Sequence, residues 1–259
     1  MSPINLNRYP LGDASKRSAI LTKARDALDQ AGMVTLDNFM TPAAVAATLA
    51  KALPKFETES FAHQREHNVY FQDHIEGVAP DHPALATLRT ANRTLCADQL
   101  SDTPLMALYE DARFIKLLAD LMGKPQLYTM DDPLARVNMM AYREGEALNW
   151  HFDRSEFTTT ILLEAPEDGG AFEYRPALRT ATNANYDGVA RLLQGEDREV
   201  RSVTLRPGAL NIFKGRNTAH RVTPPRGATP RVIAVLSYYE APGVMFSDEE
   251  RIGFYGRAG

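Results

Sequence analysis

The chain has one cysteine, Cys96, so no disulfide can form within it. That excludes the small disulfide-stapled scaffolds of secreted proteins and suits a reducing compartment. No apolar run approaches the roughly 18 residues that a membrane-spanning helix requires. The opening residues, Met1-Ser2-Pro3-Ile4-Asn5, show no basic-then-apolar leader. Excess positive charge is missing too. Lys and Arg number 29 against 33 Asp and Glu, a net charge of −4, which leaves no basic footprint for nucleic acid. No repeat or low-complexity tract interrupts the chain. These absences lead to the expectation of a cytoplasmic protein with neither membrane nor nucleic-acid partners. A homodimer stays open.

What is there is ordinary for a globular protein: 259 residues, 44% apolar and 24% charged. That length can bury a sizeable core, and the expectation is one domain over 1–259. Ile20, Leu21, Ala24, Ala27, Leu28 and Ala31 recur at helical spacing and predict a helix over 15–31, stopped by Gly32. Met33–Leu36 is a short strand candidate. Thr41 and Pro42 supply an N-cap and first helical residue for a second helix reaching Leu53. Residues 55–80 show no clean period and read as a polar loop. Their histidines, His63, His67 and His74, match no metal cage; the sharper reading is a cover over the mouth of the core that touches a ligand. Residues 84–100 and 105–122 predict two more helices, the second closed by Gly123 and Pro125.

From Gln126 the rhythm changes to strands, over Arg136–Tyr142, the segment around His151, Thr158–Leu163, Ala171–Tyr174, Val200–Leu205, Ala209–Phe213 and Arg231–Tyr239. Glu167-Asp168-Gly169-Gly170 predicts a hairpin turn. Residues 176–199 interrupt the strands, with Tyr186–Leu193 a short helix, the pattern of a lid or binding loop. The predicted class is α+β. A mainly helical part (1–125) precedes a double-stranded β-helix core (126–240; jelly-roll, cupin-like) with the helices packed on one sheet, and 241–259 is a tail.

The chemistry concentrates in Asn149-Trp150-His151-Phe152-Asp153-Arg154. In an extended segment side chains two residues apart share a face, so His151 and Asp153 are presented together. His220 offers a third ligand. Two histidines and one carboxylate around an open site form the facial triad of non-haem Fe(II) oxygenases. With Arg231 leading the last long strand, the order His151-x-Asp153, His220, Arg231 resembles the Fe(II)/2-oxoglutarate-dependent oxygenases. The resemblance implies that His151, Asp153 and His220 hold Fe(II) as the catalytic centre and leave positions for O2 and the co-substrate 2-oxoglutarate. It also implies that Arg231 pairs the distal carboxylate of 2-oxoglutarate. Arg226 competes for that role from the turn Pro224-Pro225-Arg226-Gly227. Tyr142 resembles the tyrosine that hydrogen-bonds the co-substrate, and Asn138 shares its strand face.

Within that superfamily, the run Trp150 to Thr158 with Gly169-Gly170-Ala171-Phe172-Glu173-Tyr174 resembles the free-amino-acid halogenases and their hydroxylase relatives, over about residues 105–240. The halogenases carry a small residue where this chain has Asp153. A carboxylate there takes the halide's seat, which implies hydroxylation. The implied activity is a dioxygenase hydroxylating an unactivated C–H bond of a small metabolite, a free amino acid or derivative, with release of succinate and CO2. Expected substrate contacts are Arg154 for an anion and Glu156 for an amine, with Tyr238-Tyr239-Glu240 at the mouth. Two other readings stay open. One is a cupin-type metal dioxygenase without 2-oxoglutarate, although such sites favour a His-x-His pair absent here. The other is a non-catalytic jelly-roll binding protein whose triad residues are structural.

Overall fold

The computed structural model describes residues 2–72 and 74–259. Helix α1 (Ala14–Ala31) starts where the Asp13 carboxylate accepts the backbone N–H of Lys16 at 3.0 Å. It stops where Gly32 turns left-handed at φ +72°. β1 (Met33–Leu36) follows, then α2 (Pro42–Thr58), capped by Thr41 and running beyond the predicted end at Leu53, through Pro54, so that Phe56 reaches the core. Next come β2 (Phe61–His67), β3 (Leu88–Leu95), α3 (Pro104–Tyr109), α4 (Ala112–Met122), β4 (Tyr128–Thr129), β5 (Val137–Tyr142), β6 (Leu148–His151) and β7 (Thr158–Glu164). The chain continues through β8 (Asp168–Gly169), β9 (Phe172–Arg175), α5 (Tyr186–Leu193), β10 (Arg201–Val203), β11 (Leu210–Phe213) and β12 (Ala219–Val222). It finishes with β13 (Pro225–Arg226), β14 (Arg231–Leu236), β15 (Tyr238–Tyr239) and α6 (Asp248–Tyr255). Among the described residues no helix is long and apolar enough to cross a membrane.

The result is a mixed helix–strand fold around a seven-stranded antiparallel sheet, in the order β1-β11-β7-β14-β5-β3-β2. A second sheet of four strands runs β10-β9-β12-β6. The alternation of the large sheet separates two environments. Val137, Met139 and Ala141 on β5 and Val232, Ala234 and Leu236 on β14 join the main core together with Leu28 of α1 and Phe114 and Leu117 of α4. Full burial of such a valine, leucine or phenylalanine side chain contributes on the order of 1.5–3 kcal/mol. Their neighbours on the opposite face, Asn138, Met140 and Tyr142 and then Arg231, Ile233 and Val235, line a cavity of about 680 Å³. The far wall of that cavity is the smaller sheet, through His151, Phe172, His220 and Val222.

Four expectations are corrected. Residues 84–100 are not a helix: β3 occupies most of them and is the strand next to β5. Its inward residues Thr90, Asn92 and Thr94 are buried and polar because they face the cavity, so the apolar alternation that marks a strand is missing. Residues 55–80 are not simply a loop. His63, Arg65 and His67 stand two apart on β2, all lining the cavity. The Gly169–Gly170 turn joins no paired hairpin, since β7 lies in the large sheet and β9 in the small one. Finally, the tail contains α6, whose capping box pairs Ser247 with Glu250.

Candidate metal centre

His151 closes β6 and stands opposite His220 of β12 in sheet register. Asp153 follows two residues later, just past the strand end, where the extended spacing still turns its carboxylate toward both imidazoles. Its Oδ1 lies 3.4 Å from His151 Nε2 and its Oδ2 lies 3.4 Å from His220 Nε2. The three ligand atoms fall within 4.8 Å of one another. Donors bound about 2.1 Å from one ion at right angles stand roughly 3 Å apart, so this set fits a divalent metal held on one face.

Each partner is held by the backbone behind it. His151 Nδ1 donates to Asn149 O at 2.8 Å, and His220 Nδ1 donates to Thr218 O at 3.0 Å. A carbonyl can only accept, so the proton sits on Nδ1 and the Nε2 lone pair faces the carboxylate. Burial pushes the His220 imidazole down to about 4, which keeps it neutral, as a ligand must be. Burial by itself would raise the Asp153 carboxyl. The two imidazoles facing it, His220 foremost, and a hydrogen bond from Thr158 Oγ1 outweigh it and hold the group well below the carboxylate range. Gly215 accepts the Asp153 amide at 3.2 Å, and a Cβ on it would collide with the Asp153 carboxylate and the Thr158 hydroxyl. Only glycine allows this approach.

Across the cavity, Arg231 is 1% exposed. Its Nε donates to Gly170 O at 3.0 Å, while Nη1 is buried with no hydrogen-bond partner. Among the described residues no carboxylate pairs with it. Burial pulls this guanidinium down to about 10. Gly170, at φ +63°, leaves room for the stem: a Cβ there would sit 3.1 Å from Arg231 Cδ. Tyr142 is the direct cross-strand neighbour of Arg231 and is fully buried, which raises its hydroxyl above the ordinary tyrosine range. A buried cation with an unused donor fits an anionic ligand. Asn138 also lines the cavity, but its amide is engaged by the protein. Nδ2 donates to Leu134 O at 3.0 Å and Oδ1 accepts from Tyr255 Oη at 2.8 Å.

Other candidates lie elsewhere. Arg226 is exposed, pairs with Asp168 at 3.3 Å and lines no part of the cavity. Arg154 reaches only the rim, where it pairs with Glu250 at 2.8 Å. Glu156 is tied to Lys124 at 2.8 Å and does not line the cavity. Tyr238 packs into the core against Tyr109 and Phe114, Tyr239 packs against a separate cluster and Glu240 pairs with Lys124, so that trio forms no mouth. Residues given no individual role by the sequence reading now border the triad, Phe71 among them, from the stretch read as a cover over the mouth of the core. Phe71, at φ +55°, stacks on His67 with ring centres 4.4 Å apart and sets its edge toward His151 at 5.9 Å. Arg179 and Arg216 line the cavity beside Asp153. Arg179 carried no local signal except its place in the interruption 176–199.

With this geometry in place, comparisons with known proteins agree on the architecture. An oxidoreductase of the 2OG-Fe(II) oxygenase family from Burkholderia pseudomallei is similar over 86% of this chain and 92% of its own, at 16% identity and a TM-score of 0.52. A prolyl-4-hydroxylase from Pseudomonas putida is similar over 84% and 98%, at 15% identity and a TM-score of 0.52. HygX from Streptomyces hygroscopicus, solved with nickel and 2-oxoglutarate bound, is similar over 83% and 85%, at 14% identity and a TM-score of 0.53. At these identities the likeness is one of fold. No curated protein matches the chain in sequence. Residues 16–245 match the family described as Halogenase D, nearly the whole chain and every residue of the triad. The chain belongs to the halogenase D family.

Proposed function

We propose that the protein is an Fe(II)- and 2-oxoglutarate-dependent dioxygenase that hydroxylates a small metabolite, a free amino acid or a derivative. The observation that carries this reading is a His-Asp-His cluster and a buried arginine, with no carboxylate partner among the described residues and its Nη1 unused, lining one cavity. In this reading His151, Asp153 and His220 hold Fe(II). Arg231 receives the distal carboxylate of 2-oxoglutarate, Tyr142 lies beside it, and Asn138 braces α6. The two antiparallel sheets flanking the cavity are read as the halves of a double-stranded β-helix.

Bound there, Fe(II) with 2-oxoglutarate and O2 would supply oxidation of an unactivated C–H bond, with release of succinate and CO2. The chain's own residues prepare for that. Asn149 O and Thr218 O fix the histidine tautomers, and Thr158 orients the carboxylate. Phe71 and His67 cover the His151 side and help to exclude water. A cavity of about 680 Å³ suits a metabolite rather than a polymer strand.

Hydroxylation is favoured over halogenation because Asp153 fills the third protein position. The family's description favours halogenation as the second reading. One experiment decides between them. Anaerobically prepared protein receives Fe(II), 2-oxoglutarate, chloride and then air, with a panel of amino acids and derivatives, and products are read by mass spectrometry. The expected result is substrate-dependent succinate and a product heavier by one oxygen. A chlorinated product, or no 2-oxoglutarate consumption with any member, overturns the proposal.

A further inference from the structure

The charged side chains lining the cavity are unbalanced. Asp153 is the one acid among the described lining residues, against five arginines: Arg65, Arg154, Arg179, Arg216 and Arg231. Arg154 is neutralised by Glu250, and Arg231 is spoken for in the reading above. Arg179 and Arg216 have no carboxylate partner among the described residues, and both sit against the metal side of the cavity. The Arg179 guanidinium lies over the Phe152 ring, 4.0 Å from its centre, and Phe152 separates His151 from Asp153 in the chain. Its Nε donates to Arg216 O at 2.7 Å, and its terminal nitrogens have no hydrogen-bond partner among the described residues. Arg216 follows Gly215, the residue against which the Asp153 carboxylate packs, and its Nε donates to Arg154 O at 3.2 Å.

Two neighbouring cations locked by backbone carbonyls and an aromatic face repel each other. Burial, and the charge of Arg216, pull the Arg179 guanidinium below its ordinary range. An arrangement that places two arginines together, with Asp153 of the metal site as the one acid among the described lining residues, suits a further anion arriving from outside. We propose that Arg179 and Arg216 are the docking point for a carboxylate of the substrate, so the substrate is an acid anchored beside the triad rather than an amine. This rests on the metal-centre reading above and moves anion recognition from Arg154 to the insertion and the loop before β12.

The test begins with 2-oxoglutarate binding to the anaerobic Fe(II)-loaded protein, followed by calorimetry. If 2-oxoglutarate does not bind, the parent reading falls. If it binds, the loaded protein is titrated with common L-amino acids, their N-acetyl derivatives and the matching α-amides. Uridine 5′-monophosphate and uridine form the phosphate arm. At least one carboxylic acid should bind, and its amide should bind weaker by roughly 10- to 150-fold, the effect of losing charge-assisted hydrogen bonds. Arg179→Gln and Arg216→Gln should each weaken the acid toward its amide and leave 2-oxoglutarate affinity unchanged. Arg179→Lys, which keeps the charge without the fork, should recover part of the loss. Melting temperatures check that each variant folds, and the acid–amide comparison in the unaltered protein stands whether or not they do. Equal binding of acid and amide, no acid bound, preference for the monophosphate, or loss of 2-oxoglutarate binding instead of acid binding in the glutamine variants would each overturn the assignment.

Discussion

Replacing Arg231 with methionine should make the ligand-free protein more stable and nearly unable to take 2-oxoglutarate. Burial lowers this guanidinium from 12.5 to about 10, which corresponds to about 3 kcal/mol against keeping it charged at neutral pH. That unfavourable contribution is present in full at any pH below 10. Methionine fills much of the stem's volume and removes the charge, at the loss of the Nε bond to Gly170 O, about 1 kcal/mol. The balance is a gain of about 2 kcal/mol, or roughly 4–8 °C in Tm for a chain of this size. Removing the partner of a buried carboxylate should meanwhile weaken 2-oxoglutarate by on the order of 2–4 kcal/mol, roughly 30- to 1000-fold. Thermal melting of the metal-free protein gives the first quantity, and calorimetric titration of the Fe(II)-loaded protein under anaerobic conditions gives the second. Arg226→Met, altering an exposed pair with Asp168, should change neither. Arg231→Met protein that melts lower than its parent and binds 2-oxoglutarate equally well would refute the reasoning.

His151→Ala and His220→Ala should each abolish Fe(II) binding in a metal titration while leaving the far-ultraviolet circular dichroism intact, because both residues face the cavity rather than the main core. Gly215→Ala should lower metal affinity by roughly 10- to 100-fold, since its methyl group would displace the Asp153 carboxylate from its support; an unchanged titration would show that the contact is dispensable. Stability of the metal-free protein should fall as pH drops from 6.5 toward 4, by up to about 3 kcal/mol, because the unfolded chain protonates His220 and the folded one resists it. Urea unfolding at pH 7 and pH 4.5 measures the drop. His220→Gln should have the shallower slope.

Much of the frame is legible in local sequence because it rests on local physics. The cap at Thr41, the stop at Gly32 and the alternation of β5 and β14 all arise from neighbours within a few residues. β2 and β3 were illegible for a definite reason. Their inward faces carry His63, Arg65, His67, Thr90 and Asn92, so polarity, the usual sign of an outward face, here marks the lining of a site. The cap residue Ser247 with Glu250 was readable in principle and announces α6, which brings Tyr255 to Asn138.

By itself the sequence determined that His151 and Asp153 face one way, since an extended backbone puts residues two apart on the same side. It also marked His220 and Arg231 as candidates by their order. Only the tertiary structure decided that His220 meets the pair, through the register of β12 against β6. It likewise decided that Arg231 is buried with no counter-ion among the described residues while Arg226 lies outside, and that Arg179 and Arg216 converge from segments far apart in the chain. Spacing along a chain is set by backbone geometry over a few residues. Which distant charges share a desolvated space depends on sheet register and loop packing, and those are properties of the whole fold.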